Sequence, residues 1–501
     1  MADGFDAAAD VVVVGGGGSG LAAAIEAAAV GRRVVLLEKA AQLGGTTAMS
    51  IGSISATSTP HQLARDIKDS PQGHFEDLPK FASHLQADDN PELRRILTDR
   101  VPDTFRWLMS LGVQFFGPMP EPPHTAPRMH NVVPNSRAYI AALEKEARRL
   151  GVELRVSSRA ARLLVEEGRV AGIEVEGPDG RRTIRAGAVV LASGDYSASA
   201  ALKQRYISDA ASRIGPVNPD STGDGHAMAA EVGARVLNGH LAHIGLRFVA
   251  PPRRPLARAL PAWPLAARLA RIGLERLPGW LIRPFMMKLL LTVMEPSQRL
   301  YDAGAVLVGP DGGLVADSGD DKVERLGAQS EHRGYVMFDG AIARQFSEWP
   351  GFVSTAPGVA YAYLPDYEKT RPDIVRKAAT PDGLAAAAGM DAGRLAATIA
   401  AVNAGRTGSN HLPPLSQGPF YLLGPVQLFT TFTDGGLAVD ASLRVLGGDD
   451  RPIPGLYAAG SAGQGGLLLE GHGHHLGWAF TSGRLAGRNA AYETVSTPAP
   501  A

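Results

Sequence analysis

The chain has 501 residues, and 50 Lys and Arg balance 50 Asp and Glu, so its formal net charge is zero and no overall field favours nucleic acid or an anionic surface. Hydrophobic residues make up 45% and charged residues 20%, a balance that supports a large buried core rather than a disordered chain. Cysteine is absent, which excludes disulfides, thiolate-bound zinc, iron–sulfur clusters and thiol nucleophiles, so any redox chemistry belongs to a bound organic cofactor.

The segment Met1 to Asp10 carries Asp3, Asp6 and Asp10 without Lys or Arg, and so lacks the positive start of a secretory signal. The sequence has no uninterrupted apolar run of spanning length. These two features lead to the expectation of a cytoplasmic protein. Val11 to Val14 is a β-branched run of the kind found in a parallel strand buried on both faces. It enters Gly15-Gly16-Gly17-Gly18-Ser19-Gly20, in which Gly15, Gly17 and Gly20 satisfy G-x-G-x-x-G. An Ala-rich helix over Leu21 to Val30 follows, then a second strand, Val34 to Leu37, ending in Glu38 and Lys39.

Each part has a physical task in dinucleotide binding. Gly15 permits a sharp turn, Gly17 lets the backbone approach a pyrophosphate, and Gly20 allows close packing of helix on strand. The helix start offers N–H groups and a partial positive charge to the phosphate, and Glu38 is placed for a ribose diol. Gly44, Gly45, Thr46 and Thr47 resemble a flavoprotein extension along the cofactor. Further on, Ala188 to Ala192 is an apolar strand ending in Ser193-Gly194-Asp195, and Ile453 to Ala459 is another, running into Gly460. With a single complete fingerprint, FAD is expected in preference to a pair of nucleotide domains.

Residues 251–296 differ from their surroundings. Arg253, Arg254, Arg258, Arg268, Arg271, Arg276, Arg283 and Lys288 stand against Glu275 and Glu295 alone, and eight prolines divide the stretch into short pieces. Pro264 suits the first turn of a helix whose Leu265, Leu269 and Ile272 share a face. The segment reads either as a helical flap packed on its own domain or as a basic, apolar surface for peripheral contact with a membrane or partner. Near the carboxyl end, Gly465 to Leu476 is a glycine-rich turn carrying Glu470, His472, His474 and His475 before the last helix. His-x-His-His across such a turn is a weak basis for metal ligation, and no metal is expected.

On the quoted fingerprint, on Ser221 to Ala229 with Asp224, on Gly435 to Asp440 and on Phe480 to Gly487, the sequence resembles the superfamily of FAD-dependent fumarate reductases and 3-ketosteroid dehydrogenases. The resemblance covers nearly the whole chain. It implies an α/β architecture, a Rossmann-like FAD-binding domain interrupted by an α+β capping domain, with substrate held between cap and flavin. The expected boundaries are 1–240 for the first part of the FAD domain, 241–415 for the cap with its 251–296 insertion, and 416–501 for the completion. The cofactor contacts expected are Gly15, Gly17, Gly18, Ser19, Gly20, Glu38, Lys39, Gly44, Gly45, Thr46, Thr47, Ser193, Gly194, Asp224, Gly460, His475 and Leu476. Thr46 and Thr47 stand where the covalently flavinylated relatives have a histidine, so FAD is expected to be non-covalent.

The resemblance also implies that the last helix points its amino terminus at the flavin, which puts Glu470 and His472 near the substrate. These two are the expected proton-transfer residues, with Tyr301 and Tyr335 of the cap as candidate phenols that polarise a carbonyl. His240 and His243 lie where the chain enters the cap, near a substrate position of the family. Arg128 and His130 match its basic stretch beside the flavin, in a structural role or as a cofactor contact. The acidic segment Gly312 to Asp321 lacks the arginine acid of soluble fumarate reductases, and a dicarboxylate pocket needs cationic anchors. The implied activity is therefore FAD-dependent oxidoreduction of a CH–CH bond beside a carbonyl, foremost the desaturation of a hydrophobic, steroid-like ketone with an unknown electron acceptor. Reduction of an enone or other activated alkene is the alternative. A flavin-bearing docking protein without catalysis is the reading of another class.

Overall fold

In a computed structural model of the chain, the described residues are 5–249, 264–277, 283, 287, 294–317, 322–329, 331–356, 360–406 and 412–496. The buried hydrophobic residues fall into two separate cores. The first belongs to a sheet built from both ends of the chain, and the second to an inserted domain.

The first sheet is centred on the strand Ala7–Val14, in which Val11, Val12 and Val13 are fully buried. It pairs in parallel with Val34–Leu37 on one side and with Gly180–Leu191 on the other. Glu153–Arg155 extends one edge in parallel, and Pro452–Ala458 adds beside Gly180–Leu191. Burial on both faces explains why these strands are continuous Val and Leu runs rather than alternating ones. The helix Gly18–Ala29 covers one face, and the final helix His474–Ser496 lies against it. Glycines permit that approach: a Cβ on Gly483 would stand 2.3 Å from the Ser19 carbonyl oxygen, and one on Gly487 would stand 2.1 Å from that of Ala23.

The inserted domain has its own antiparallel sheet. Ala242–Phe248 pairs with the long strand Phe420–Thr433, which also pairs with Arg333–Phe338 and Val375–Ala378, and Val306–Val308 and Leu314–Asp317 complete it. Because Phe420–Thr433 is hydrogen-bonded across this sheet, the chain returns to the FAD domain after residue 433, not at 416 as the sequence suggested. A Pro-rich approach resembles a linker in sequence, whereas the consecutive Phe420 to Leu423, with Val426 and Leu428, fill the cap core. A third, small sheet of Ser53–Ser55, Gln114–Met119 and Met129–Val133 flanks the flavin-side domain.

Much of 251–296 lies outside the described residues, including the apolar run after Gly279. Its longest described part is the helix Pro264–Arg276, which packs on the strands Gln114–Met119 and Met129–Val133. Ala267 is buried and Leu269 is 62% exposed, so Leu269 faces outward rather than joining an inward apolar stripe. No helix among the described residues is long and apolar enough to cross a membrane.

Candidate active site

The glycine turn forms as its spacing requires. Gly15 has φ +109°, and a Cβ there would meet the Ala192 carbonyl oxygen at 2.3 Å. A Cβ on Gly20 would stand 1.8 Å from the Gly15 oxygen, whereas one on Gly17 would meet nothing nearer than 3.9 Å. Gly17 thus borders open space, as a backbone that receives a pyrophosphate must. The Gly44–Gly45 turn joins this cradle: the Gly44 N–H donates to the Gly16 carbonyl at 2.9 Å, and the Gly18 N–H donates to Thr47 Oγ1 at 3.1 Å. Asn218 donates to Thr46 Oγ1 at 2.8 Å.

Glu38 is buried at the end of its strand and accepts the Gly16 N–H at 2.7 Å and the Ala40 N–H at 2.8 Å. Its carboxylate is fixed by backbone donors, with lone pairs left for a diol. Lys39 and Asp224 pair with each other at 2.7 Å, and Arg159 also reaches Asp224. Burial alone would raise the Asp224 pKa, but the bonds from Lys39 and Arg159 outweigh it and hold the carboxyl below the usual range. Gly460, at φ +63°, donates to Ser482 Oγ at 2.9 Å, and a Cβ on it would meet Ser19 Oγ at 2.6 Å. Ser193 Oγ, at the carboxyl end of its strand beside Gly194, is buried without a partner. An orphaned hydroxyl at this strand end, the open face at Gly17 and the anchored Glu38 together fit a dinucleotide lying across the sheet.

The start of the last helix faces a cluster that the sequence does not assemble. His475 is half-buried and its buried Nε2 has no partner; its ring packs on Phe432, with centroids 4.3 Å apart. The other neighbour of Phe432 is His243, stacked at 5.2 Å. His243 Nε2 stands 3.9 Å from Glu295 Oε1, and the Arg247 Nε approaches the same oxygen at 3.2 Å. The Glu295 carboxylate holds the His243 pKa above its ordinary value, with Glu470 contributing charge in the same direction. Burial would raise Glu295, but His243 and Arg247 outweigh it and keep the carboxyl low. His475 is the opposite case: burial drives its pKa down to about 4 despite the Glu470 charge. Two imidazoles whose pKa values are pushed in opposite directions therefore flank the same phenyl ring.

His472 has a partner that sequence reading missed. Its Nδ1 lies 2.5 Å from Glu121 Oε1, which also accepts the His472 backbone N–H at 3.0 Å. His472 is 41% exposed along its side chain while Glu121 is buried. Glu121 sits in a proline-rich stretch with no local pattern to mark it, 351 residues away. Tyr301 and Tyr335 are not brought to this cluster by any described contact. Tyr301 is 1% exposed in the cap core with the Lys322 ammonium 4.9 Å from its ring, and Tyr335 lies against that core on the cap sheet beside Gly424. Tyr301 Oη is buried there without a partner. His240 is exposed. Arg128 is buried between Asp69 and Asp77 at 2.7 and 2.5 Å, and His130 bonds the Arg128 carbonyl and Thr59, so both are structural.

The FAD binding domain family matches residues 10–256 and 313–468, most of the chain. The chain belongs to this family. It is an FAD-dependent oxidoreductase. It is 26% identical over 91% of its length to a probable fumarate reductase of Shewanella frigidimarina, covering 70% of that protein. It is 27% identical to a vinyl phenol reductase of Lactiplantibacillus plantarum, covering 92% of each chain. Among solved structures, a flavocytochrome c3 fumarate reductase in its open conformation superposes with a TM-score of 0.75 at 24% identity, over 98% of this chain and 79% of the other. The 3-ketosteroid Δ1-dehydrogenase of Sterolibacterium denitrificans superposes at 0.68 and 18% identity, over 97% and 99%. These likenesses agree with a Rossmann-like sheet interrupted by a cap.

Proposed function

We propose that this flavoprotein reduces an activated carbon–carbon double bond in a substrate that is not a dicarboxylate. The observation that carries the reading is the placement of His243 beside Glu295 and on the ring that separates it from His475. Reduction of an alkene requires a hydride on one carbon and a proton on the other. Bound FAD, when reduced, supplies the hydride. His243 supplies the proton from its imidazolium, and Glu295 stabilises that charge before transfer. Phe432 and neutral His475 form an apolar floor beside the reacting atoms, which favours a flat, conjugated substrate. At this cluster the guanidinium among the described residues is Arg247, already engaged by Glu295, so two substrate carboxylates would lack bidentate partners. Similarity to a vinyl phenol reductase over both full lengths supports the same direction.

Desaturation of a hydrophobic ketone is the same transfer run backwards, with His243 as the acceptor of the α-proton, and one experiment separates the two. Holoprotein is reduced chemically without oxygen and mixed with vinylphenols, enones, acrylate and fumarate, while oxidised holoprotein is mixed with steroid and cyclohexanone ketones. We expect the vinylphenols or enones to restore the visible flavin band. Fumarate as the fastest oxidant, or bleaching by the ketones with no alkene active, overturns the proposal. Because Thr46 and Thr47 stand after the glycine pair, FAD is held without a covalent bond, and acid precipitation leaves it in the supernatant. Flavin remaining in the pellet contradicts that.

A further inference from the structure

Three histidines from distant parts of the chain meet at the start of the last helix, on residues that the redox reading does not use. His74 comes from the helix Pro71–Asp77, His124 from the turn before Arg128, and His474 is the first residue of the final helix. One ring nitrogen of each lies within 4.8 Å of the others, and the ring centroids are 5.1 to 5.5 Å apart. His74 and His474 are fully buried. Both nitrogens of His74, Nε2 of His124 and Nε2 of His474 have no hydrogen-bond partner. Four unpaired buried nitrogens on three adjoining rings are a departure from the rule that buried polar atoms are satisfied, and they call for an occupant.

The chemistry of the pocket selects the occupant. Three imidazoles offer nitrogen ligands that suit a transition-metal ion rather than a hard cation. The His474 Nδ1–H donates to the Glu470 carbonyl at 2.5 Å, which fixes the tautomer and leaves Nε2 as a lone pair aimed away from its own turn. Around the cluster, Asp69, Asp77 and Glu121 stand against Arg128 and Lys80, a surplus of one negative charge. Glu121 Oε2 is buried without a partner, and the charge of Glu121 is felt at His474. Phe81 closes the pocket against both His124 and His474.

We propose that His74, His124 and His474 bind one divalent transition-metal ion of the zinc type, with Glu121 or water in the fourth position. Tetrahedral nitrogens lie about 3.3 Å apart, so the rings draw together on loading. One contact must yield. Arg128 Nη1 now lies 2.8 Å from His124 Nδ1, and a metal on Nε2 requires a proton on that Nδ1. Arg128 can release it, because Asp69 holds its Nε and Nη2 and Asp77 its Nη1. The ion ties the helix Pro71–Asp77 and the His124 turn to the residue preceding His475, and so stiffens the start of the last helix.

The test uses full-length, FAD-loaded protein stripped with a chelator and titrated with Zn2+ and, separately, Co2+. Metal content by mass spectrometry, the visible cobalt spectrum beyond the flavin bands and the melting temperature are read together. Wild type is expected to retain one equivalent after desalting, to show the intense absorption of tetrahedral cobalt and to melt at a higher temperature when loaded. His124→Ala, at a half-buried turn position, and His74→Gln are each expected to lose the equivalent while keeping the flavin spectrum; should His74→Gln not fold, His124→Ala decides alone. His243→Ala is expected to keep the ion. No retained metal in wild type, a full equivalent in His124→Ala, or loss in His243→Ala overturns the proposal.

Discussion

At the scale of single residues, glycines within one motif have different burdens. Gly20 has no room, since a Cβ would overlap the Gly15 oxygen at 1.8 Å, whereas Gly17 has an ordinary extended backbone and open space. We expect Gly17→Ala to leave the fold intact and to reduce the flavin absorbance per chain at least tenfold at limiting FAD. Gly20→Ala should instead lower the melting temperature of flavin-free protein. The His243–Glu295 pair gives a pH dependence with a definite sign. Glu295 raises the His243 pKa, so a reaction using the imidazolium falls off as pH rises through that raised value. Glu295→Gln removes the cause and leaves burial, which lowers the pKa; the alkaline limb of kcat should move to lower pH. An unmoved limb would take His243 out of proton transfer.

At the scale of elements, the helices Gly18–Ala29 and His474–Ser496 decide how the two chain ends meet. Every residue from Gly18 to Ala28 is buried, and the contact runs over Ala, Ser and Gly because larger side chains would hold the backbones apart. Gly487→Ala, with its Cβ 2.1 Å from the Ala23 oxygen, should cost about 1–3 kcal/mol by forcing the helices to separate. Denaturant midpoints of wild type and variant would measure it, and a midpoint equal to wild type would show that the helices slide apart freely. These elements were legible in advance. Val11 to Val14 and the helix after Gly20 have local signatures, and the observed bounds differ by a few residues at the ends. Phe420–Thr433 was not legible, because its identity as a cap strand rests on three partners far away in sequence.

At the scale of the whole molecule, burial of histidine sets an acid limit. His74, His124, His130, His226, His474 and His475 are all pushed down by desolvation, to about 4 for His226, His474 and His475. The unfolded chain protonates each near pH 6.5, so below that value it takes up protons that the fold refuses, and stability falls with falling pH. Asp195 and Asp434 act in the opposite sense, since burial raises them and they regain protons first in the fold. His243, raised by Glu295, acts with them, and the six depressed histidines outweigh these three groups. Between pH 7 and 5.5 the melting temperature should drop by roughly 5 °C or more; a flat profile would mean that the imidazoles are solvated.

The sequence by itself determined the cofactor half of this protein. Strand, glycine turn, helix, second strand and acid are contiguous, and each is specified by neighbours within a few residues, so their physics is local. Only the tertiary structure decided the chemistry beside the cofactor. Glu121 with His472, Glu295 with His243, Phe432 with His475, and His74 and His124 with His474 each join residues from segments far apart, and no spacing rule encodes them. Their pKa values follow the same division. A side chain's charge depends on what covers it and which ion stands beside it, and both exist only once the cap and the two chain ends have packed.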